Sequence, residues 1–512
     1  MQFPVTIKSA LISVYYKDHL DVIIQLLNSL GVQIYSTGGT ATFIQNLGVK
    51  VNAVEDLTGY PSILGGRVKT LHPKVFGGIL GRRNEESDVA QMEQYAIPAF
   101  DLVIVDLYPF EETLKQSTNE SEIIEKIDIG GVSLIRAAAK NFRDVLIIAS
   151  KNDYASLVEI LENQKGESSI EQRKNFAGKA FQITTAYDNA IASYLTGNRN
   201  AGIFSSFGDA MPLRYGENPH QSATFFGDFN TVFEKLNGKE ISFNNLVDVE
   251  SAVYLMEDMH KVVEGNPCFA ILKHTNACGL ATGETLNEAY HKALAADPVS
   301  AFGGVLIANR EIDIETANAI HDLFIEVLIA PSFSQEAIKI LTAKKNRILL
   351  KQKQFEFPLQ QLKSLLNGVL VQDRNKKLVN TQGITVVTDR TPNKEELNDL
   401  LFAEIAVKHI KSNGIALVKN RQLIAMGVGQ TSRVDALKQA IAKANAFGFE
   451  TTGAVMASEA FFPFPDCVDI AFKAGITAVI QPGGSVKDKD SIDYCNAQQM
   501  TMVLTGIRHF KH

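Results

Sequence analysis

Short runs of consecutive apolar residues recur along this chain, separated by stretches whose apolar residues fall at helical spacing. Asp101 to Leu107 is the clearest run, apolar on successive positions, as strands buried on both faces of a parallel sheet are. Ile7 to Val14, Val32 to Tyr35 and Val145 to Ala149 read the same way, and Leu20 to Leu30 carries the periodicity of an amphipathic helix that Gly31 ends. Strand–helix alternation of this kind predicts a doubly wound α/β domain over residues 1–196, with ligands at the carboxyl ends of its strands.

Residues 197–212 are rich in Gly, Asn and Ser and read as a linker. The alternation then restarts over 213–512. Cys268 to Lys273 and Gly303 to Ala308 are expected strands, and Leu286 to Ala296 an expected helix. Ile415 to Lys419, Leu423 to Val428, Val434 to Phe447 and Gly453 to Ala457 repeat that order, which predicts a second domain of two related α/β/α halves.

A chain of 512 residues is too long for one ordinary core, and its 45% apolar content leaves ample material to bury. With 57 acidic against 50 basic side chains it has no surplus of cations to meet a nucleic-acid backbone, although a few local cations and backbone amides suffice for a single phosphate. Cys268, Cys278, Cys467 and Cys495 form no zinc spacing and read as reduced, packed thiols. No apolar stretch is long enough to span a bilayer, so a soluble, cytoplasmic protein is expected.

Several segments carry chemistry. Ser36-Thr37-Gly38-Gly39-Thr40 joins a strand to a helix, where paired glycines and a helix N-terminus can cradle an anion and the Thr37 and Thr40 hydroxyls can complete it; a plain turn is the competing reading. Gly65 to Pro73 packs two glycines, Arg67, Lys69, Thr70 and His72 into nine positions without apolar periodicity. Asp128 stands between isoleucines and needs a partner or a task. Further on, Lys273-His274 ends an apolar strand, and Leu213 to Gln221 is a dense polar run containing Arg214 and Tyr215. A lone strand-end histidine is more often structural, but such polar runs usually serve a ligand.

The segments G-G-R-V-K-T-L-H-P, D-L-Y-P-F, I-D-I-G-G and R-A-A-A-K-N resemble the inosine monophosphate (IMP) cyclohydrolase domain, whose fold is similar to methylglyoxal synthase. That resemblance implies catalytic positions at Lys69, Tyr108, Asp128 and Lys140, with Ser13, Lys17, the Ser36–Thr40 segment, Arg67 and Thr70 around the substrate. Tyr15-Tyr16 replaces the usual S-D of S-V-S-D-K, and Phe76 stands where histidine is common.

The K-H-T-N segment, Asp297 to Gly303, Ser412-Asn413, Gly429 to Arg433, Ser458 to Phe464, Gln481 to Ser485 and Thr505 to His512 resemble, in order, the aminoimidazole carboxamide ribonucleotide (AICAR) transformylase domain, a duplicated cytidine-deaminase-like fold. The resemblance implies Lys273 and His274 as the catalytic pair. It also implies nucleotide contacts from Arg214, Tyr215, Gly303, Glu326, Asn413, Arg433, Phe461 and Arg508, and folate contacts from Asp466 and Ser485. Here Ala277 replaces the family's proline, Pro465 an arginine, and Glu326 the aspartate of some members.

The activities implied are formyl transfer from 10-formyltetrahydrofolate to AICAR, giving the formylated intermediate FAICAR, and dehydrative closure of FAICAR to IMP, in a homodimer without catalytic metal. The deaminase zinc ligands are missing. A formyltransferase whose first domain is inactive, or only senses anions, is the alternative. Lys69, Asp128 and Lys140 together weigh against it, since a sensor needs only the phosphate cradle.

Overall fold

The structure is a computed structural model that describes residues 4–197 and 210–512. The chain divides into two compact units, Met1–Phe207 and Gly208–His512. Within the expected linker, Gly197 caps a helix and Ala210–Pro212 is a strand paired with Thr224–Phe226; the rest lies outside the described residues.

In the first unit, five parallel strands form one sheet in the spatial order Asn52–Ala53, Gln33–Ser36, Ser9–Ser13, Leu102–Val105 and Leu146–Ile148. Strand order reverses between Ser9–Ser13 and Leu102–Val105, so the loops leaving these neighbours diverge and open a crevice at the carboxyl edge. Helix Leu20–Ser29 buries Leu20, Ile23, Ile24 and Leu27, an i, i+3, i+4, i+7 stripe. Each such side chain, fully buried, contributes about 1.5–3 kcal/mol relative to exposure. Helix Ile170–Thr196, opened by a Ser169–Gln172 capping box, packs on helix Gly130–Lys140.

The second unit is built on a single twelve-stranded sheet. Its first half contributes Cys268–Lys273, Asn276–Thr282, Val305–Ala308, Val327–Ala330 and Ile348–Gln352; its second contributes Ile415–Lys419, Gln422–Gly427, Val455–Ser458, Ala478–Gln481 and Thr501–Leu504. Numbered within each half, both sets lie in the order 2-1-3-4-5, with strands 1 and 2 an antiparallel hairpin, strand 3 antiparallel to strand 1, and strands 3, 4 and 5 parallel. The halves meet where Asn276–Thr282 pairs antiparallel with Gln422–Gly427. The predicted duplication is therefore a repeated topology, and the antiparallel seam turns the two parallel sets in opposite senses.

Candidate active sites

At the crevice of the first unit, the turn after Ser13 is fixed by Asp106, which accepts the amides of Tyr15 and, at 3.0 Å, Tyr16. Lys17 folds back so that its amine donates to the carbonyls of Val14 and Tyr15. Burial lowers the Lys17 pKa, Asp106 opposes that, and the Lys69 charge adds to the lowering, so two cations share the crevice. The Lys69 amine lies over Gly38, where an added Cβ would come within 3.0 Å of Nζ; Gly38 also has a φ of +54°, a conformation glycine adopts freely. The hydroxyls of this segment are engaged within the protein. Ser36 donates to the Ile12 carbonyl at 2.6 Å, Thr40 to the Val14 carbonyl at 2.9 Å and Thr37 to Glu55 at 2.7 Å. What faces an anion is the start of helix Gly38–Asn46, whose first amides have no intrahelical partner.

Asp128 precedes helix Gly130–Lys140 and receives the Gly131 amide at 2.6 Å. Burial raises its pKa above the ordinary carboxylate value, against hydrogen bonds from the Gly131 and Tyr108 amides and the Lys69 charge. Burial, with Asp128 nearby, also raises the Tyr108 phenol. Lys69, Tyr108 and Asp128 are thus brought together, and Thr70 joins them, its hydroxyl 2.9 Å from a Cβ added at Gly130. Arg67 is exposed and ion-paired with Glu125.

Lys140 is not brought to this cluster. It ends the 11-residue helix that Asp128 precedes, so about 15 Å of helix separates the two. It lines instead a separate, largely apolar cavity of about 680 Å³ with Phe76, Arg136, Lys174 and Phe181. Three neighbours were given no role by the sequence reading. Tyr15 meets Tyr108 edge to face at 5.9 Å between ring centres, Lys126 lies 5.7 and 5.8 Å from those two rings, and the Tyr187 hydroxyl accepts the Asp128 amide at 2.8 Å. Only the Tyr15-Tyr16 departure from the family pattern pointed there.

In the second unit Lys273 and His274 occupy a hairpin turn, not the open end of a parallel strand. The Lys273 amine donates to the carbonyls of Phe302 at 2.8 Å and Gly303 at 3.1 Å. His274 is exposed, with a φ of 48°. Lys273, His274, Asn276, Ser300, Gln439 and Lys443 line a cavity of about 260 Å³ between the two halves. Because the hairpin strand Cys268–Lys273 runs antiparallel to Val305–Ala308, this cluster lies at the amino edge of the first half's parallel strands, with Glu326 beside it and paired to Lys239 at 2.6 Å. The second half's polar cluster lies instead at the carboxyl ends of its parallel strands, where Glu459 follows strand Val455–Ser458.

There Asn413, Arg433, Glu459 and the 505–512 segment converge. The Arg433 guanidinium is buried and pairs with Glu459 at 2.5 Å, Ser458 at 2.8 Å and the Asn413 carbonyl oxygen at 2.8 Å. The Asn276 side chain accepts the Lys411 amide at 3.2 Å and so ties this group to the His274 turn. Phe461 and Arg508 are exposed nearby in sequence, Arg508 stacked 4.4 Å over Phe510. Asp466 opens helix Asp466–Lys473, and the Ser485 amide donates to Asp488 at 3.0 Å; no contact joins either to the His274 turn. Arg214 stands over the Tyr215 ring at 4.6 Å and donates to its hydroxyl at 2.7 Å, on an exposed loop. Ala277 pairs with Leu272 beside a bulge, one of the few places in a sheet that tolerates the family's proline.

Among the described residues, no three His, Cys, Asp or Glu side chains gather as a metal site, and no helix is long and apolar enough to cross a membrane. All four cysteines are buried and free, their thiols pushed up to about 12 by desolvation.

A doubly wound unit with a lysine–tyrosine–aspartate crevice, and a duplicated α/β unit with a lysine–histidine turn, define a two-domain α/β enzyme. Residues 20–133 match the MGS-like domain, and residues 138–443 match the AICARFT/IMPCHase bienzyme. The chain is 56% identical to the bifunctional purine biosynthesis protein PurH of Bacteroides thetaiotaomicron, with 99% of each chain covered. It is 46% identical to the PurH of Acetivibrio thermocellus and 43% identical to that of Bacillus subtilis, over 99% of this chain and 100% of each relative. The chain belongs to the AICARFT/IMPCHase bienzyme family.

Proposed function

We propose that this chain carries out the last two steps of IMP synthesis. Its second unit transfers the formyl group of 10-formyltetrahydrofolate to the amine of AICAR, and its first unit closes the product FAICAR to IMP with loss of water. The reading is carried by one observation: two separate polar clusters, on two separately folded units, in a chain collinear with bifunctional relatives from end to end.

The AICAR amine is conjugated with its ring and carboxamide and is a poor nucleophile, so it needs its proton removed as it attacks. An exposed imidazole on a fixed turn suits that task, and such help is worth about a hundred- to ten-thousand-fold. His274 takes the proton, and Lys273 stabilises the oxyanion or protonates the departing folate nitrogen. Asn413, Arg433, Phe461, Arg508, Arg214, Tyr215, Gly303 and Glu326 hold the nucleotide, and Asp466 and Ser485 serve the folate side. In the first unit, Lys17 and the amides at Gly38 and Gly39 take the phosphate with Ser13, Arg67 and Thr70 around it. Asp128 exchanges protons with the carboxamide nitrogen, and Lys69 and Tyr108 orient the formyl group.

The active form is a cytoplasmic homodimer. Two features support the pairing. Hairpin Gln360–Leu365 and Gly368–Asp373 exposes Leu362, Leu365, Leu366, Val369, Leu370 and Val371 together, and a lone two-stranded hairpin is at best marginal in water. Lys140 lies away from Asp128 within one chain, so its part in ring closure calls for an amine from another copy. The inactive-first-domain alternative is not favoured, since Lys69, Tyr108 and Asp128 all remain. Purified protein given FAICAR without folate should form IMP; failure to do so would leave formyl transfer alone.

A further inference from the structure

The two halves of the second unit carry the same hairpin turn. In the first half, His274 and Thr275 follow Lys273 with φ values of 48° and 68°. In the second, Asn420 and Arg421 follow Lys419, both at 53°. Each turn is held by one carboxylate at the sixth position of the helix that precedes its strand, Asp248 in Phe243–Met259 and Asp399 in Lys394–Lys408. Asp248 accepts the Thr275 amide at 2.6 Å and also faces the His274 amide. Asp399 accepts Asn420 at 2.8 Å and Arg421 at 2.6 Å. The lysines match as well, with Lys419 donating to the Thr452 carbonyl at 2.7 Å as Lys273 does to Phe302. What differs is the pair of side chains at the turn, His-Thr in one half and Asn-Arg in the other, so that the first position carries an imidazole in one half and an amide in the other.

Left-handed backbone is unfavourable for histidine and threonine and persists where the surroundings over-determine it. A carboxylate facing two successive amides does that, because charge-assisted hydrogen bonds are the strong ones. The turn also closes on itself, through Thr275 and Asn276 side chains donating to the His274 carbonyl at 2.6 and 2.7 Å, and Asn276 in turn accepts the Lys411 amide at 3.2 Å.

We propose that Asp248 is a positioning residue for formyl transfer: its carboxylate fixes the left-handed turn that aims the His274 imidazole. Asp399 holds the twin turn, which carries no reacting group. The proposal rests on the reading of His274 as the proton acceptor.

Asp248→Asn leaves one acceptor facing two donors. In the full-length enzyme it should lower kcat for formyl transfer about a hundredfold, the scale of misplacing an aligned group, with KM for both substrates unmoved and ring closure intact. Asp399→Asn should cost similar resistance to urea and leave kcat alone. In the double variant Asp248→Asn with Thr275→Gly, glycine accepts the left-handed conformation and should recover part of the lost kcat. Undiminished kcat in Asp248→Asn, or an equal loss in Asp399→Asn, overturns the proposal. If Asp248→Asn does not fold, the double variant replaces it, and wild-type kcat there counts against the proposal. His274→Ala, run alongside, separates the two claims, because full activity in it sinks the reading of His274 itself.

Discussion

The two units place their reactive groups by opposite devices. In the first, every strand of the sheet is parallel, so loops after Ser9–Ser13, Gln33–Ser36 and Leu102–Val105 leave the same edge, and the reversal of strand order opens the crevice. In the second, Lys273 and His274 sit on a hairpin whose antiparallel strand carries them to the amino edge of the first half's parallel set. The antiparallel seam at Ala281 and Gln422 brings that edge beside the carboxyl ends of the other half. A parallel sheet gathers Lys69, Tyr108 and Asp128 within one unit; the duplicated unit needs both halves, one turned over, to enclose its cavity.

That contrast predicts separable damage. The largest effect falls on chemistry: His274→Ala should cut formyl transfer by about a hundred- to ten-thousand-fold and leave FAICAR closure untouched, which a folate-independent assay reads directly. Lys69→Ala should do the reverse. Next comes Arg433→Ala, which strands the buried Glu459 and should destabilise the second unit by about 3–5 kcal/mol, seen as one early transition in urea while ring closure survives.

A pH effect is comparable or smaller. Buried His409, beside Asp258 at 2.8 Å, has its pKa lowered from 6.5 to about 4, chiefly by desolvation. The unfolded chain therefore binds that proton more readily. Stability held above pH 6.5 is lost as pH falls toward 4, by at most about 3 kcal/mol, and His409→Asn should flatten the loss. Smallest, Asp128 should place the acidic limb of the ring-closure profile above the ordinary carboxylate value of 3.8, as initial rates across the acidic range would show.

Much of the fold was legible in the residues. Cys268–Lys273, Leu286–Ala296 and Ile415–Lys419 have the predicted bounds, because continuous apolar runs and amphipathic periodicity are local signals. The hairpin at His274 was not, since its turn residues, His-Thr, lack the glycine or asparagine that usually marks positive φ; the stabilising carboxylate comes from Asp248, far away in sequence. The exposed hairpin over residues 360–373 passed unread, because its apolar residues mark no burial and fit neither a continuous core run nor a helical stripe. Candidate site residues were legible as clusters of residue types. Their mutual distance was not, and Lys140 shows it, adjacent in motif yet a helix length from Asp128.

Independence of the two sites is tested most directly by mixing. Lys69→Ala and His274→Ala proteins, each unable alone to convert AICAR and 10-formyltetrahydrofolate to IMP, should together produce it, as FAICAR released by one is closed by the other. A mixture that makes no IMP, although each variant keeps its own remaining half-reaction, would contradict two autonomous centres acting in turn on one ribotide.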